Sequence, residues 1–447
     1  MKDAFRIRLR TRKTRVRIYY SPVAQKKLAS NACSRYNKDK QMCCEVIGMA
    51  NLHLKQALTA EDKLALMRQD ACFDVSDNEA PDFDRIQKDI RAPKGPATAP
   101  KVFLSNDCVF NCSYCGCRCG RGDKTRYAST PREFARLSMN TAQANGGRVF
   151  ITSAIYKNAD YTEELIIEAM RILRRELGYR GYLHAKVMPG CDPELIRRAG
   201  LYANRLSVNI EVAKSEGYGV IAHDKNRENI LRPMGQISRL IQSAKEDAGP
   251  YKPAFATSQT TQLMAGSTNE DDFTILNLSH ALYGKYHLKR VYYTSYQYRG
   301  QAKGYEERPA VSTPQWRTTR LYQADRLLQL YGFTPEEIAP ADAPNLVYDF
   351  DPKAAWALRN LHLFPIEVNT ADYEMLLRIP GIGQTYARRI LAARRQCRVT
   401  HDVLKKLGVS MKRSGHFLTA DGKFAGYHGS SPAAFAEVLR SPLEETG

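Results

Sequence analysis

No stretch of this 447-residue chain runs to 18 or more apolar residues, so no segment reads as a membrane span. The opening MKDAFRIRLRTRKTRVRIYY carries the charge of a signal peptide's first part, but neither the apolar segment nor the small-residue cleavage site that should follow. A cytoplasmic location is therefore expected. Acidic residues are in short supply, 47 against 67 Lys and Arg, for a formal net charge of +20. Such a balance attracts polyanions, nucleic acid first and anionic lipid second, although a generally basic surface accounts for it as well. No repeat on the scale of a solenoid is present. The cysteines number 11, an odd count that fits complete disulfide pairing poorly. In a reducing compartment, clustered cysteines point to a metal site.

What is present is enough for two or three domains with a sizeable core, hydrophobic residues making up 43% of the chain. Residues 1–57 read as a basic extension, in which RIRLRTRKTRVR alternates basic with apolar or Thr residues. A basic edge strand, an arm that meets phosphates and a solvated segment without a role all fit it. LTAEDKLALMRQD (58–70) has helical spacing, and a Pro-containing loop follows. Then short apolar strands are expected at 101–106, 148–154, 182–188, 205–212, 260–266 and 290–296. Helical patterns lie between them, the first capped by Ser129 or Thr130 with Pro131 in its first turn. Six strand–helix units, the last without its helix, argue for parallel strands under covering helices. A doubly wound sheet and a partial barrel are equally compatible with that rhythm. In either, chemistry gathers at the C-terminal ends of the strands.

Immediately after the first strand stands CVFNCSYCGCRCG, residues 108–120. Cys108, Cys112 and Cys115 are spaced Cys-x3-Cys-x2-Cys, with Tyr114 before the third. A loop this tight can wrap three thiolates around one corner of an iron–sulfur cluster. Structural zinc is the competing reading; it wants four ligands, usually as two separated pairs, and Cys117 or Cys119 would have to supply the fourth. Cys117 and Cys119 otherwise read as spare thiols, ligands of a second metal, or redox partners.

This cysteine pattern, with its aromatic residue and its place after a first strand, resembles the radical S-adenosylmethionine (SAM) superfamily. The resemblance implies a partial (β/α)6 TIM-type barrel, which tips the choice of fold. It implies that Cys108, Cys112 and Cys115 hold a [4Fe–4S] cluster whose open iron binds the amino and carboxylate groups of SAM. Reductive cleavage then yields a 5′-deoxyadenosyl radical that abstracts hydrogen, and an electron donor such as flavodoxin or ferredoxin is implied as a partner. Tyr114 belongs to the cofactor-binding set. Where the superfamily often has a Gly-Gly-Glu-like stretch, this chain reads Thr152-Ser153-Ala154-Ile155, with Ser153 the candidate and no carboxylate. On strand four, Ser207, Asn209 and Glu211 alternate and so share one face. They suit ribose hydroxyls and a methionine amine, or else a buried polar network. His184, Lys186 and Met188 share a face of strand three.

The second motif is VNTADYEMLLRIPGIGQTYARRILAARR (368–395). It resembles the helix–hairpin–helix of DNA repair and recombination proteins. Gly381 and Gly383 let the backbone approach closely. Amides around Ile382 and the start of the second helix can then point at a phosphate, with Arg388 and Arg389 adding charge. A packed helical hairpin without a ligand is the competing reading. HDVLKKLGVSMKRSGHFL (401–418) reads as a second, degenerate hairpin.

Together the two motifs resemble radical SAM proteins assigned to DNA modification and repair, over about Leu58 to Leu418. The expected organisation is a 1–57 extension, a 58–300 radical SAM core, a 301–360 linker with a connecting helix, a small all-α module over 361–420 and a weakly structured tail over 421–447. The expected function is hydrogen abstraction on DNA. RNA or tRNA modification and a non-catalytic DNA-binding iron–sulfur protein are the alternatives. A glycosylase-like protein is a further partner that the resemblance implies.

Overall fold

The structure is a computed structural model, and it describes residues 59, 62, 63, 66, 100–122, 124–247, 254–298, 300, 304–426 and 432–440. The basic 1–57 extension, most of the 58–70 helix and the loop after it lie outside the described residues.

Six parallel strands form one sheet in sequence order: β1 (Lys101–Phe103), β2 (Arg148–Thr152), β3 (Tyr182–Lys186), β4 (Arg205–Ser207), β5 (Ser258–Ala265) and β6 (Arg290–Ser295). That order settles the choice left open by the sequence. A doubly wound sheet must reverse direction once, and this one never does. Right-handed crossovers then put every helix on the same side, and the sheet curls around its other face. Among the described residues β1 and β6 do not pair with each other, so the barrel is open.

The covering helices start where the sequence offers caps. Thr130 forms a capping box with Glu133 at the head of α1 (Pro131–Ala144). Asn158 caps α2 (Ala159–Arg171), which ends through a π-turn at Ile172–Glu176. Asp192 caps α3 (Pro193–Gly200); the short α4 (Gly217–Ile221) leads to α5 (Arg227–Glu246), capped by Asn226, and Asp271 caps α6 (Asp272–Tyr286). No helix among the described residues is long and apolar enough to cross a membrane.

The helix expected as a linker element is instead the sixth unit's cover. In α7 (Gln315–Leu330), Tyr322 accepts from the Tyr293 N–H at 2.9 Å and donates to the Tyr293 carbonyl at 3.0 Å. Asp325, buried, accepts from the Tyr283 and Tyr293 hydroxyls at 2.6 and 3.0 Å. Sequence patterning missed this because about twenty residues separate β6 from its helix.

Beyond α7 come α8 (Pro335–Ile338) and α9 (Pro352–Arg359), then two helical hairpins. The first joins α10 (Tyr373–Arg378) to α11 (Gln384–Ala393), the second α12 (His401–Lys406) to α13 (Met411–Ser414). The region is helical but not purely so. β7 (Ile366–Glu367) pairs in parallel with β8 (Leu418–Ala420), which pairs antiparallel with β9 (Lys423–Phe424). Nor is all of the expected tail irregular: α14 (Pro432–Leu439) buries Leu439 and sets the Phe435 ring 6.3 Å from that of Phe417.

Candidate functional site

The loop after β1 is tied down on three sides. The Val109 N–H donates to Ile155 O beyond β2 (2.9 Å), the Ser113 N–H to Ile221 O at the end of α4 (2.9 Å), and the Asn111 N–H to Asp224 Oδ2 (2.7 Å). A turn closes it locally, the Cys115 N–H donating to Cys112 O at 3.0 Å. These bonds bring Cys108, Cys112 and Cys115 to the wall of one cleft at the C-terminal ends of the strands. Tyr114, Ser153, Asn209 and Glu211 line the same cleft, so four of the five expected cofactor residues converge with the cysteines. Ser207 is buried deeper in β4 and does not line it. Of the strand-three face, Lys186 and Met188 reach the cleft, whereas His184 stacks on Phe150 with ring centroids 4.1 Å apart.

Glu211 reaches the cleft by a departure from strand geometry. Ser207 pairs with Thr260 but Glu211 bridges to Leu263, so four steps along β4's path answer three along β5. One residue is extra, which makes this a β-bulge. The Thr261 hydroxyl stands in for the lost ladder bonds, donating to Val208 O (2.7 Å) and accepting from the Ile210 N–H (2.9 Å). Glu211 itself has φ +62°, a left-handed conformation that costs a non-glycine residue on the order of 1 kcal/mol or more. Strained residues of this kind gather at functional sites.

Glu211 meets a group that no sequence pattern marks. Lys225, between α4 and α5, donates from Nζ to Glu211 Oε1 at 2.9 Å and to the Tyr114 hydroxyl at 3.1 Å. It thereby joins strand four to the cysteine loop. Its side chain is 11% exposed and that of Glu211 4%. Burial works against the lysine's charge, but Glu211 and then Cys112 outweigh it and raise its pKa. Burial and the Glu211 charge keep the Tyr114 hydroxyl protonated. Lys225 follows no helical or strand period, so only its spatial neighbours reveal it.

The thiols are electrostatically frustrated. Burial, then its two companions, push Cys108 up. Burial pushes Cys112 to about 12 even though Lys225 pulls the other way. Hydrogen bonding from Cys117 holds Cys115 below the ordinary thiol range; the Cys117 N–H lies 3.4 Å from Cys115 Sγ. Three neighbouring cysteines whose negative forms repel one another suit a cationic metal group, which removes their protons outright. Among the described residues no three His, Cys, Asp or Glu side chains converge on a point fit for one ion, as structural zinc would need. Three cysteine sulfurs on one cleft wall are the donor chemistry that an iron–sulfur group takes. Glu211 Oε2 is buried and has no hydrogen-bond partner among the described residues.

Cys117 and Cys119 part company. Cys117 is buried in the cleft wall and Cys119 is exposed. The segment carrying them is folded by Arg126, whose guanidinium donates to four carbonyls: Asn106 (2.7 Å), Cys117 (2.8 Å), Arg118 (2.6 Å) and Arg121 (3.0 Å).

At the C-terminal hairpins, Gly381 and Gly408 have φ +88° and +89°. A Cβ on Gly381 would lie 3.5 Å from Arg413, and one on Gly408 3.3 Å from Tyr386. Arg413 and Tyr386 are each the third residue of the opposite hairpin's second helix, so the two hairpins pack reciprocally. Ile382 and Gly383 are buried in the loop. Arg389 donates to Leu407 O at 2.9 Å and so links the hairpins, and Arg388 is exposed.

No family model matches the chain, and no curated protein does. Among solved structures the chain is similar to the X-ray structure of the FeFe-hydrogenase maturase HydG from Carboxydothermus hydrogenoformans, at 15% identity over 69% of each chain with a TM-score of 0.40.

Proposed function

We propose that this chain is a radical SAM iron–sulfur enzyme that acts on DNA. The observation that carries the enzymatic reading is the convergence of Cys108, Cys112 and Cys115 with the buried Lys225–Glu211–Tyr114 group in one cleft at the mouth of a six-stranded half-barrel. Cys108, Cys112 and Cys115 would hold the cluster. When bound, cluster and SAM would supply the one-electron cleavage that makes a 5′-deoxyadenosyl radical for hydrogen abstraction. The chain's own part is placement. Lys225 fixes Tyr114 between two of the cysteines, and Glu211 offers its unpartnered oxygen to an amine or hydroxyl of the bound cofactor. Phe110, Ile155 and Met188 give the cleft an apolar wall that limits water.

DNA as the substrate rests on the paired hairpins, on the first-turn amides that α11 leaves without intrahelical partners, and on exposed Arg388, Lys406 and Lys412 over a +20 chain. Such contacts go to phosphates and give affinity without reading sequence. Anaerobic reconstitution with iron and sulfide, then reduction in the presence of SAM, should release 5′-deoxyadenosine. No release with or without duplex DNA would defeat the enzymatic reading. Duplex binding should weaken steeply with salt. Binding that survives deletion of 361–447 unchanged would remove the hairpins from it.

A further inference from the structure

Lys353, in the first turn of α9, is only 7% exposed, and its ammonium does not reach solvent in the usual way of lysines. Nζ lies 4.9 Å over the Tyr331 ring and donates to the Ile382 carbonyl at 2.5 Å. Ile382 is the fourth of the five residues, Ile379 to Gly383, in the tight loop between α10 and α11. Its carbonyl belongs to the same peptide group as the Gly383 N–H. A trans peptide sets the two on opposite sides of the C–N bond, so a carbonyl held toward Lys353 sends that N–H away from it. Gly383 is buried, and its N–H has no acceptor among the described residues. As the N-cap amide of α11 it is one of the donors that a helix start leaves to water or a ligand.

Resting on the DNA reading of the hairpins, we propose that Lys353 is a positioning residue for phosphate binding at the Ile379–Gly383 loop. It clamps the Ile382 carbonyl from behind, and so aims and polarises the Gly383 N–H as a donor to the phosphate. A hydrogen bond to a charged group is about twice as strong as a neutral one, and polarisation passes through the peptide from one end to the other. The second hairpin has no such clamp: among the described residues no side chain donates to the Val409 carbonyl, which occupies the position equivalent to Ile382. The first hairpin is therefore the stronger anion site of the two.

The surroundings couple this role to protons. Burial and then Arg378 draw Lys353 toward its neutral form. Arg378 is paired with Glu337 and lies over the Phe333 ring; on the α9 side Asp351 accepts from the Lys353 N–H and pairs with Arg413, which also borders Gly381. Negative charge arriving at the loop favours the ammonium, so phosphate binding should raise the lysine's pKa, which appears as proton uptake wherever the free lysine is partly neutral.

The test uses the full chain and a fluorescent duplex. Binding is followed by anisotropy over a salt series for wild type, Lys353→Met and Lys353→Gln, with urea midpoints as a fold control. Calorimetry in two buffers of different ionisation enthalpy reads proton uptake. Lys353→Met is expected to bind about ten- to a hundredfold more weakly. Its slope of log K against log salt should stay as in wild type, because the lysine does not itself displace counterions, and its proton uptake should vanish. Lys353→Gln restores a donor without the charge and should bind between the two; it also replaces the Met variant if that does not fold. Undiminished affinity in both variants, or a slope reduced by about one, would overturn the role of Lys353. Absence of salt-dependent duplex binding in the wild type would instead overturn the DNA reading itself.

Discussion

Replacing Lys225 by Met tests the centre of the proposed site without any cofactor. The Lys225–Glu211 pair is nearly dry, at 11% and 4% side-chain exposure, with nitrogen and oxygen 2.9 Å apart. At an effective dielectric near 20, two unit charges at that separation attract by about 6 kcal/mol. Desolvating each ion costs several kcal/mol, so the intact pair contributes little net stability. Breaking it is another matter. Lys225→Met leaves a buried carboxylate with one oxygen already lacking a partner, and frees the Tyr114 hydroxyl. The expected loss is about 3–5 kcal/mol. Glu211→Gln alone leaves the converse defect, a buried ammonium facing a neutral amide. The double variant should recover much of the loss, giving a coupling of about 2 kcal/mol or more in a double-mutant cycle. Urea unfolding of apoprotein at pH 7, read as midpoints at constant m, measures all four corners. A Lys225→Met loss under about 1 kcal/mol, or strictly additive variants, would refute the picture of a sealed pair bracing the cysteine loop.

Other consequences are directly measurable. Replacing Cys108, Cys112 or Cys115 by Ala should abolish iron–sulfur absorbance after reconstitution, whereas Cys117→Ala should keep it, since the hydrogen bond drawn to Cys115 includes the backbone N–H of residue 117. Arg126→Ala removes four charge-assisted bonds and should cost about 2–4 kcal/mol, with new proteolytic cleavage confined to residues 116–126. Burial lifts the Glu163 carboxyl from 4.5 to about 8, one oxygen accepting from the Met188 N–H and the other without a partner among the described residues. Because the folded value is the higher, the protein should be most stable below about pH 4.5 as far as this group is concerned, and should lose stability as pH rises toward 8. At about 1.4 kcal/mol per pH unit the loss is at most a few kcal/mol, and Glu163→Gln should flatten it in urea midpoints taken from pH 5 to 8. A wild-type profile flat over that range would show the carboxylate to be solvated.

The strands and most helix starts were legible because they rest on local rules: a period of two with apolar residues, and Thr, Asn or Asp at the caps. The three cysteines were legible because the loop that gathers them at the cleft spans only eight residues of chain. Lys225 was not, because it sits in irregular backbone 14 residues from Glu211 and 111 from Tyr114, and only the curl of the sheet brings the three together. Alternation along strand four correctly grouped Asn209 with Glu211 but could not foresee the bulge that leaves Ser207 behind. The cover of β6 was read as a linker because connection length, unlike periodicity, says nothing about where a helix packs.

By itself, then, the sequence determined the six strands with the covers of the first five, the cysteine loop at the end of the first strand and the glycine turn of the hairpin, since each depends on neighbours within a few residues. The tertiary structure alone decided that the sheet winds one way, that a buried lysine braces the thiolate loop, and that a second lysine stands behind the hairpin. Those outcomes depend on desolvation and on contacts between distant segments, which no local pattern encodes.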